Sequence, residues 1–162
     1  MEPRGTAESR STLVKWMGIE DANTAGFVHG GVVMRLCDEV AGLAAARHSG
    51  RRVVTAGMDR MTFLEPVHVG DLVTCSASIN AVWRTSMEVG VRVEAENIRT
   101  RKVTHTSTAY LTMVAMDDEA RPTEVPALEV EGEVEQRRRR EAELRRQNRL
   151  AEREQILSDR DS

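Results

Sequence analysis

From Met87 to Glu96 the odd positions are all apolar and the even ones are polar or glycine. That two-residue period marks a strand with one face in a core and the other turned away from it. Leu72 to Trp83 alternates in the same way, Thr104 to Met116 reads as a long final strand, and Val53 to Phe63 is rich in strand-forming residues. Glu65-Pro66 with Val69-Gly70-Asp71 marks one turn between these runs, and Asn97 to Lys102 marks another. Ser11 to Met17 alternates weakly and is predicted to be a first strand. Gly31 to His48 breaks the pattern. There Val33, Leu36, Cys37, Val40, Ala41 and Ala44 fall at the spacing of one helix face, and Gly50 lies just past the last turn. A strand, one long helix and four more strands predict an α+β domain, with an antiparallel sheet packed on a single helix.

The two ends differ from this body. Residues 1–10 are polar and are expected to be a flexible N-terminus, with the folded domain over 11–125 and a charged, partly helical tail over 126–162. From Glu131 to Ser162 there are nine Arg and nine acidic residues, so the segment is neutral overall. Glu133/Arg137, Glu135/Arg139 and Glu141/Arg145 have the i,i+4 spacing that supports an exposed helix. Leu144, Leu150 and Leu157 are too few for a sustained heptad. The expectation is a solvated tail; the alternative is an arm that contacts a partner through Arg137-Arg138-Arg139-Arg140.

Composition narrows the class. A chain of 162 residues supports one domain with a real core. Aromatic residues make up only 3%, so the core must be built from Val, Ala, Leu and the eight Met. A net charge of −3 gives no electrostatic case for nucleic acid or an anionic membrane as partner. No apolar run approaches the roughly 20 residues needed to span a bilayer. Cys37 and Cys75 lack the spacing of a zinc or redox motif and read as small buried residues in a reducing compartment. A cytoplasmic location is expected.

Candidate chemistry gathers around the start of the helix. Asn23-Thr24-Ala25-Gly26-Phe27-Val28-His29-Gly30-Gly31 is a polar, glycine-rich loop that opens it. Such a loop places free N–H groups and a helix N-terminus beside whatever binds there. Asp38 sits about two turns inside an otherwise apolar helix, where an acid needs a reason to be. It could pair with Arg35, but Glu39 competes for that arginine at i+4. The small residues that follow, Ala41, Gly42, Ala44, Ala45 and Ala46, leave room for a ligand or another chain. Arg84-Thr85-Ser86, at the start of the clearest strand, offers a cation and two hydroxyls suited to phosphate or ribose. No phosphate-loop, dinucleotide, HExxH or G-x-S-x-G pattern is present.

Taken in order, these pieces resemble the hotdog-fold acyl-CoA thioesterases, in their acyl-CoA hydrolase branch. The resemblance is carried by Asn23-x-x-Gly26-x-x-His29-Gly30-Gly31, by Met34-x-x-x-Asp38-Glu39-x-Ala41, and by Arg84-Thr85-Ser86-Met87-Glu88-Val89. Val53-Val54-Thr55 and Phe63-x-x-Pro66-Val67-x-x-Gly70-Asp71 add to it, so that it covers residues 12–116. It implies a long central helix wrapped by a curved antiparallel sheet and a homodimer with shared active sites. It also implies assembly into a hexamer as a trimer of dimers.

By the same resemblance Asp38 is the catalytic acid, acting as general base or as nucleophile. Asn23 completes the site from the other protomer. Amides near Gly30 and Gly31 hold the oxyanion. Arg84, Thr85 and Ser86 are assigned to coenzyme A, with Arg101 and Lys102 on the same cationic rim, and the acyl chain runs past Ala41, Gly42 and Ala45. The substrate is acyl-CoA, with no metal and no cofactor beyond the CoA moiety itself. Two other readings stand beside this one: an acyl-thioester hydratase or dehydratase using His29, and a non-catalytic acyl-CoA-binding module with the tail as effector arm.

Overall fold

The computed structural model covers residues 1–162. In chain order it contains β1 (Arg4–Gly5), β2 (Ser11–Trp16), α1 (Gly30–Ser49), β3 (Arg52–Met58), β4 (Leu72–Val82), β5 (Ser86–Glu96), β6 (Val103–Met116), β7 (Leu128–Glu129) and α2 (Gly132–Asp161). Five strands make one antiparallel sheet in the order β2-β4-β5-β6-β3. The apolar alternates predicted from sequence all turn to the same side. Val73, Cys75, Ala77 and Ile79 on β4 join Met87, Val89, Val91 and Val93 on β5 and Ala109, Leu111 and Met113 on β6. Val33, Cys37, Val40, Ala41 and Ala44 of α1 pack into this surface and are shielded from solvent.

The sheet curves around the helix because its strands carry local irregularities. Extra residues interrupt the register at Ala56 on β3, Asn80 on β4 and Thr106 on β6, and such bulges bend and twist a strand. α1 ends where Gly50 adopts a left-handed φ of 66° and donates its N–H to the Ala46 carbonyl at 2.8 Å.

Three expectations are corrected. The run Val53 to Phe63 is not one strand: β3 stops at Met58. Beyond it Asp59 and Arg60 turn out to pair with Arg149 and Glu152, at 3.0 and 2.8 Å, and Phe63 returns only as an isolated bridge to Ser107.

The N-terminus is not loose. β1 pairs in parallel with β7, and Thr6 and Ser9 are buried. The Arg4 guanidinium donates to the Arg47 and His48 carbonyls at 3.1 and 2.6 Å, which satisfies carbonyls at the end of α1.

The tail is one continuous helix of 30 residues, and its first half docks on the outer face of the sheet. Ala142 is fully buried there. Arg145 does not pair with Glu141; it forks onto Glu88 of β5, with contacts of 2.6, 3.1 and 3.2 Å. Glu135 accepts from the Thr6 hydroxyl and pairs with Arg10 at 3.3 Å, so it too reaches off the helix. The i,i+4 ion pair that α2 does form is Arg137–Glu141, at 3.6 Å. Neither helix is long and apolar enough to cross a membrane.

His48, in the last turn of α1, ties these parts together. It is buried, its Nε2–H donates to the Pro126 carbonyl at 2.9 Å, and its Nδ1 has no partner. Burial lowers its pKa below the usual imidazole value, and the nearby Arg4 cation adds to that against the opposing Pro126 carbonyl. The unfolded chain therefore binds the proton more tightly than the native one, and stability rises with pH across this window. Acidification from pH 7 towards pH 5 should lower the urea midpoint as the unfolded chain's His48 takes up its proton. In His48→Gln the slope over that range should shrink, measured by urea titration at a series of pH values.

Candidate active site

Asp38 follows Cys37, which points straight into the sheet, and a step of about 100° around the helix carries it to the flank. There α1 passes the edge strand β3. The Thr55 hydroxyl on that strand donates to Asp38 Oδ1 at 2.5 Å and lies 3.5 Å from Met113 Sδ. Oδ2 has no partner within the chain. Arg35 is bound to Glu39 at 3.1 Å, as the i,i+4 spacing predicted, so Asp38 sits outside any ion pair. The side chain is half-buried. A carboxylate held by one oxygen has its other oxygen available to accept a hydrogen bond from a bound water.

Thr55 was not among the residues singled out from sequence as candidates for chemistry. After two valines it reads as an ordinary strand threonine, and only the approach of α1 to β3 gives its hydroxyl a partner.

The loop before α1 is shaped by its own side chains. Asn23 Oδ1 accepts from the N–H groups of Ala25 and Phe27 at 2.9 and 3.2 Å, and Gly26 supplies the left-handed φ of 85° that the turn requires. The Asn23 amide N–H groups are left without a partner in the chain. Asp21 fixes the base of the loop, accepting from Lys15 Nζ at 2.8 Å and the Gly18 N–H at 2.9 Å, and the Lys15 bond lowers its pKa. His29 is the N-cap of α1, and its Nδ1 accepts from the Gly31 N–H at 3.0 Å. Of the amides near Gly30 and Gly31 that were expected to face an oxyanion, one is already taken. The Gly31 N–H is capped by His29, and the Gly30 N–H is the one without a partner.

These groups do not meet Asp38 in one copy of the chain. Eight residues of helix separate Gly30 from Asp38, an axial distance of about 12 Å. Every hydrogen bond made by the Asn23 side chain stays within its own loop.

Strand register places the other predicted residues. Thr55 pairs with Met113 and Met113 with Met87, the neighbour of Ser86. Two strand spacings, about 10 Å, thus separate the Asp38 partner from the Arg84-Thr85-Ser86 turn. Arg84 is exposed and carries no ion pair. Arg101 and Lys102 lie beyond the other end of β5, about 30 Å along the sheet. They cannot share a rim with Arg84 of the same copy, which corrects that expectation. Arg101 is held by Glu96 at 3.1 Å, and Lys102 lines a separate pocket of about 230 Å³ with Glu65, His68 and Asp71.

The trio assigned to an acyl pocket also divides. Ala41 and Ala45 are fully buried among the core side chains, so their small size lets α1 sit close to the sheet. Gly42, one turn beyond Asp38, is partly open, and a Cβ added there would meet nothing within 4 Å.

A larger cavity, about 860 Å³, lies elsewhere, under α2 on the outer sheet face. Its arginines are largely spoken for: Arg10 by Glu135, Arg92 by Glu94, Arg137 by Glu141 and Arg145 by Glu88. No three His, Cys, Asp or Glu side chains converge as a metal-binding group.

Residues 25–102 match the model of the Thioesterase superfamily. The chain is 41% identical to Protein VdlD of Helicobacter pylori over 82% of its own length and 76% of that protein's. It is 36% identical to the uncharacterized acyl-CoA thioester hydrolase YkhA of Bacillus subtilis, over 83% of this chain and 78% of the relative. It is 37% identical to the cytosolic acyl coenzyme A thioester hydrolase of Rattus norvegicus over 85% of its length, but that match spans only 36% of the rat protein.

Among solved structures it superposes on an apo-hexameric acyl-CoA thioesterase with a TM-score of 0.90 and 35% identity, over 94% of this chain and 97% of that one. The acyl-CoA hydrolase of Staphylococcus aureus, solved with butyryl coenzyme A, coenzyme A and coenzyme A disulfide, gives 0.86 and 31% over 98% and 99%. Variants of that hydrolase replace an aspartate, an asparagine or a threonine by alanine. The three are spaced along that chain as Asp38, Asn23 and Thr55 are along this one. At such coverage the C-terminal helix has a counterpart in these neighbours, which the sequence alone had not supplied.

The His29 cap makes a prediction independent of any chemistry. His29→Ala removes the side-chain acceptor for the Gly31 N–H and should cost about 1 kcal/mol of stability, read from urea denaturation of the purified protein.

Proposed function

The chain belongs to the thioesterase superfamily, in its acyl-CoA thioester hydrolase branch with the hotdog fold, and from that membership we propose a mechanism for its hydrolysis of acyl-CoA. One observation carries the reading: Asp38 is tied by one oxygen to Thr55 on an open edge strand, while the free Gly30 N–H at the start of α1 lies about 12 Å along the helix in the same copy. A carbonyl oxygen about 3 Å from such a donor puts its carbon within one water of the base, which about 12 Å of helix does not allow. Two copies satisfy this if Asp38 of one faces the Asn23–Gly31 loop of the other.

The open side of the protein fits such pairing. β3 is a sheet edge with exposed backbone, and Val54, Phe63, Met34 and Leu43 stand exposed on it or beside it. Pairing β3 with its symmetry mate would cover this edge and bring each α1 beside the other copy's loop. The dimers assemble further into a hexamer, in keeping with the hexameric neighbour. A cytoplasmic location is in keeping with the cytosolic acyl coenzyme A thioester hydrolase of Rattus norvegicus.

At the shared site Thr55 fixes the carboxylate plane, and Asp38 Oδ2 takes a proton from water as it attacks the thioester carbon. The Gly30 N–H, at the positive end of α1, and the Asn23 amide stabilise the carbonyl oxygen as it gains charge. Collapse of the tetrahedral intermediate expels CoA as a thiolate, so no general acid is needed to free the leaving group. The Arg84-Thr85-Ser86 turn, at the Asp38 end of the sheet, binds the phosphates or ribose of CoA. The identical spacing of the three residues varied in the Staphylococcus aureus hydrolase supports Asp38, Asn23 and Thr55 as the working set. The hydratase reading needs His29 free to move a proton, and its Nδ1 is committed to the helix cap.

Asp38→Asn should lower turnover of acyl-CoA by about a hundred- to ten-thousand-fold, with CoA affinity and assembly size unchanged, read by thiol release and light scattering. Near-normal turnover in that variant would remove Asp38 from the reaction.

Shared sites are tested by complementation. Asp38→Asn and Asn23→Ala chains are each poorly active alone, yet co-refolded together should regain about a quarter of wild-type activity, since half the dimers are mixed and each mixed dimer holds one intact site. No recovery would place each site within a single copy.

Raising the ionic strength should raise KM for acyl-CoA through screening of Arg84. Arg84→Ala should raise KM at low salt and flatten that dependence; a salt response left intact in this variant would move the CoA contact elsewhere.

A further inference from the structure

Glu88 belongs to the Arg84–Val89 motif, yet it has no part in the site described above. Its side chain points to the face of the sheet opposite α1, and it is fully buried there. A charge in such a place is costly unless it is fully partnered. Here the partner comes from α2. Arg145 reaches across with Nη2 at 2.6 Å from Oε1 and Nε at 3.1 Å from Oε2, while Asn80 Nδ2 donates to Oε1 at 3.0 Å. The Arg145 guanidinium also lies 3.6 Å from the centre of the Tyr110 ring.

A second contact grips the other side of the same turn. The Trp83 indole N–H donates to Glu143 at 3.0 Å, and the Arg146 guanidinium stands 4.5 Å from the Trp83 ring centre. Glu143, Arg145 and Arg146 belong to one turn of α2. That single turn therefore holds the residue before Arg84 and a residue just after Ser86.

On the inner side the backbone is already tied. Ala115 N–H donates to the Thr85 carbonyl at 3.0 Å and Val125 N–H to the Arg84 carbonyl at 3.1 Å. The Arg84 side chain has no partner of its own, so its direction depends on how firmly this turn is held.

We propose that α2 is a positioning element for the acyl-CoA site, with Arg145–Glu88 and the Glu143–Trp83–Arg146 clasp setting the Arg84–Ser86 turn against its ligand. The inference rests on the reading of that turn as a CoA contact. It explains why a fully buried carboxylate stands at position 88. A bidentate pair fixes one register of the helix on the sheet, which an apolar contact of equal area would leave free to slide.

The test uses the full-length enzyme and two substrates with the same acyl group, one an acyl-CoA and one an acyl-N-acetylcysteamine that lacks the nucleotide. Glu88→Gln with Arg145→Met removes the pair together, so that neither charge is left orphaned. Trp83→Phe keeps an aromatic ring beside Arg146 while removing the N–H donor to Glu143, and serves if the double variant does not fold. Either should raise KM for acyl-CoA by about three- to tenfold with kcat within about twofold, and leave kcat/KM for the truncated substrate unchanged.

Equal losses on both substrates, or no change on either, would overturn the proposal and leave α2 a purely structural brace. Arg84→Ala separates the two layers of argument. If it leaves KM for acyl-CoA unchanged, the CoA reading of the turn fails. If it raises KM while the α2 variants do not, the positioning role alone fails.

Discussion

The contact on which the rest depends is that of α1 with the concave face of the sheet. The side chains at its centre are small: Cys37, Ala41, Ala44 and Ala45 are fully buried against valines and methionines of β4, β5 and β6. Helix and sheet can therefore approach closely without aromatic residues, of which the chain has few. Close approach leaves no room for a carboxylate beneath the helix. It pushes Asp38 to the flank, within reach of the edge strand, where the Thr55 hydroxyl meets it. A bulkier buried stripe would lift α1 and break that 2.5 Å contact. The core thus sets where Asp38 stands by controlling how far the helix lies from the sheet.

A second constraint follows from helix geometry. Gly30 and Asp38 are fixed on one rigid rod, so no loop motion in a single copy can bring them to a common atom. In the mechanism proposed above, the donors and the base of one chain are two half-sites. Their distance is also what an assembly can use, because a two-fold axis beside β3 would set the half-sites of two copies face to face. The exposed β3 edge and its flanking apolar side chains are then neither a defect nor an aggregation hazard. On the proposed reading they are the surface that a second copy would cover.

What could be read from sequence was whatever depends on neighbours along the chain. The alternation of β5, the helical period of α1 and the glycine-rich loop are all local patterns, and strand and helix ends fell within a few residues of expectation, apart from β3. Asp38 stood out because one acid interrupts an apolar helix, and its freedom from Arg35 followed from i,i+4 spacing. What could not be read depends on residues far apart. Thr6 finds Glu135, Glu88 finds Arg145, and Arg4 finds the end of α1, and no window of sequence holds both members of any pair. The same reason hid Thr55. The error over Arg101 and Lys102 was of another kind: proximity in the chain to the Arg84 strand was taken as proximity in space, although an extended strand carries its two ends apart.

The two faces of β5 show how one strand can serve two purposes. Its odd residues are held by dispersion and the hydrophobic effect, which are tolerant of small shifts. On the even face Glu88 is held by directional, charge-assisted bonds to Arg145, which are not. Apolar packing alone would let the strand slide slightly against the helix it covers, and the Arg84–Ser86 turn at its start would slide with it. A buried ion pair adds little net stability compared with an apolar pair of the same shape, but it strongly disfavours every other register. If the Arg84–Ser86 turn binds CoA as proposed, a place two residues from Ser86 is where such discrimination matters most, since a turn that meets a flexible, highly charged ligand works best when it is rigid beforehand.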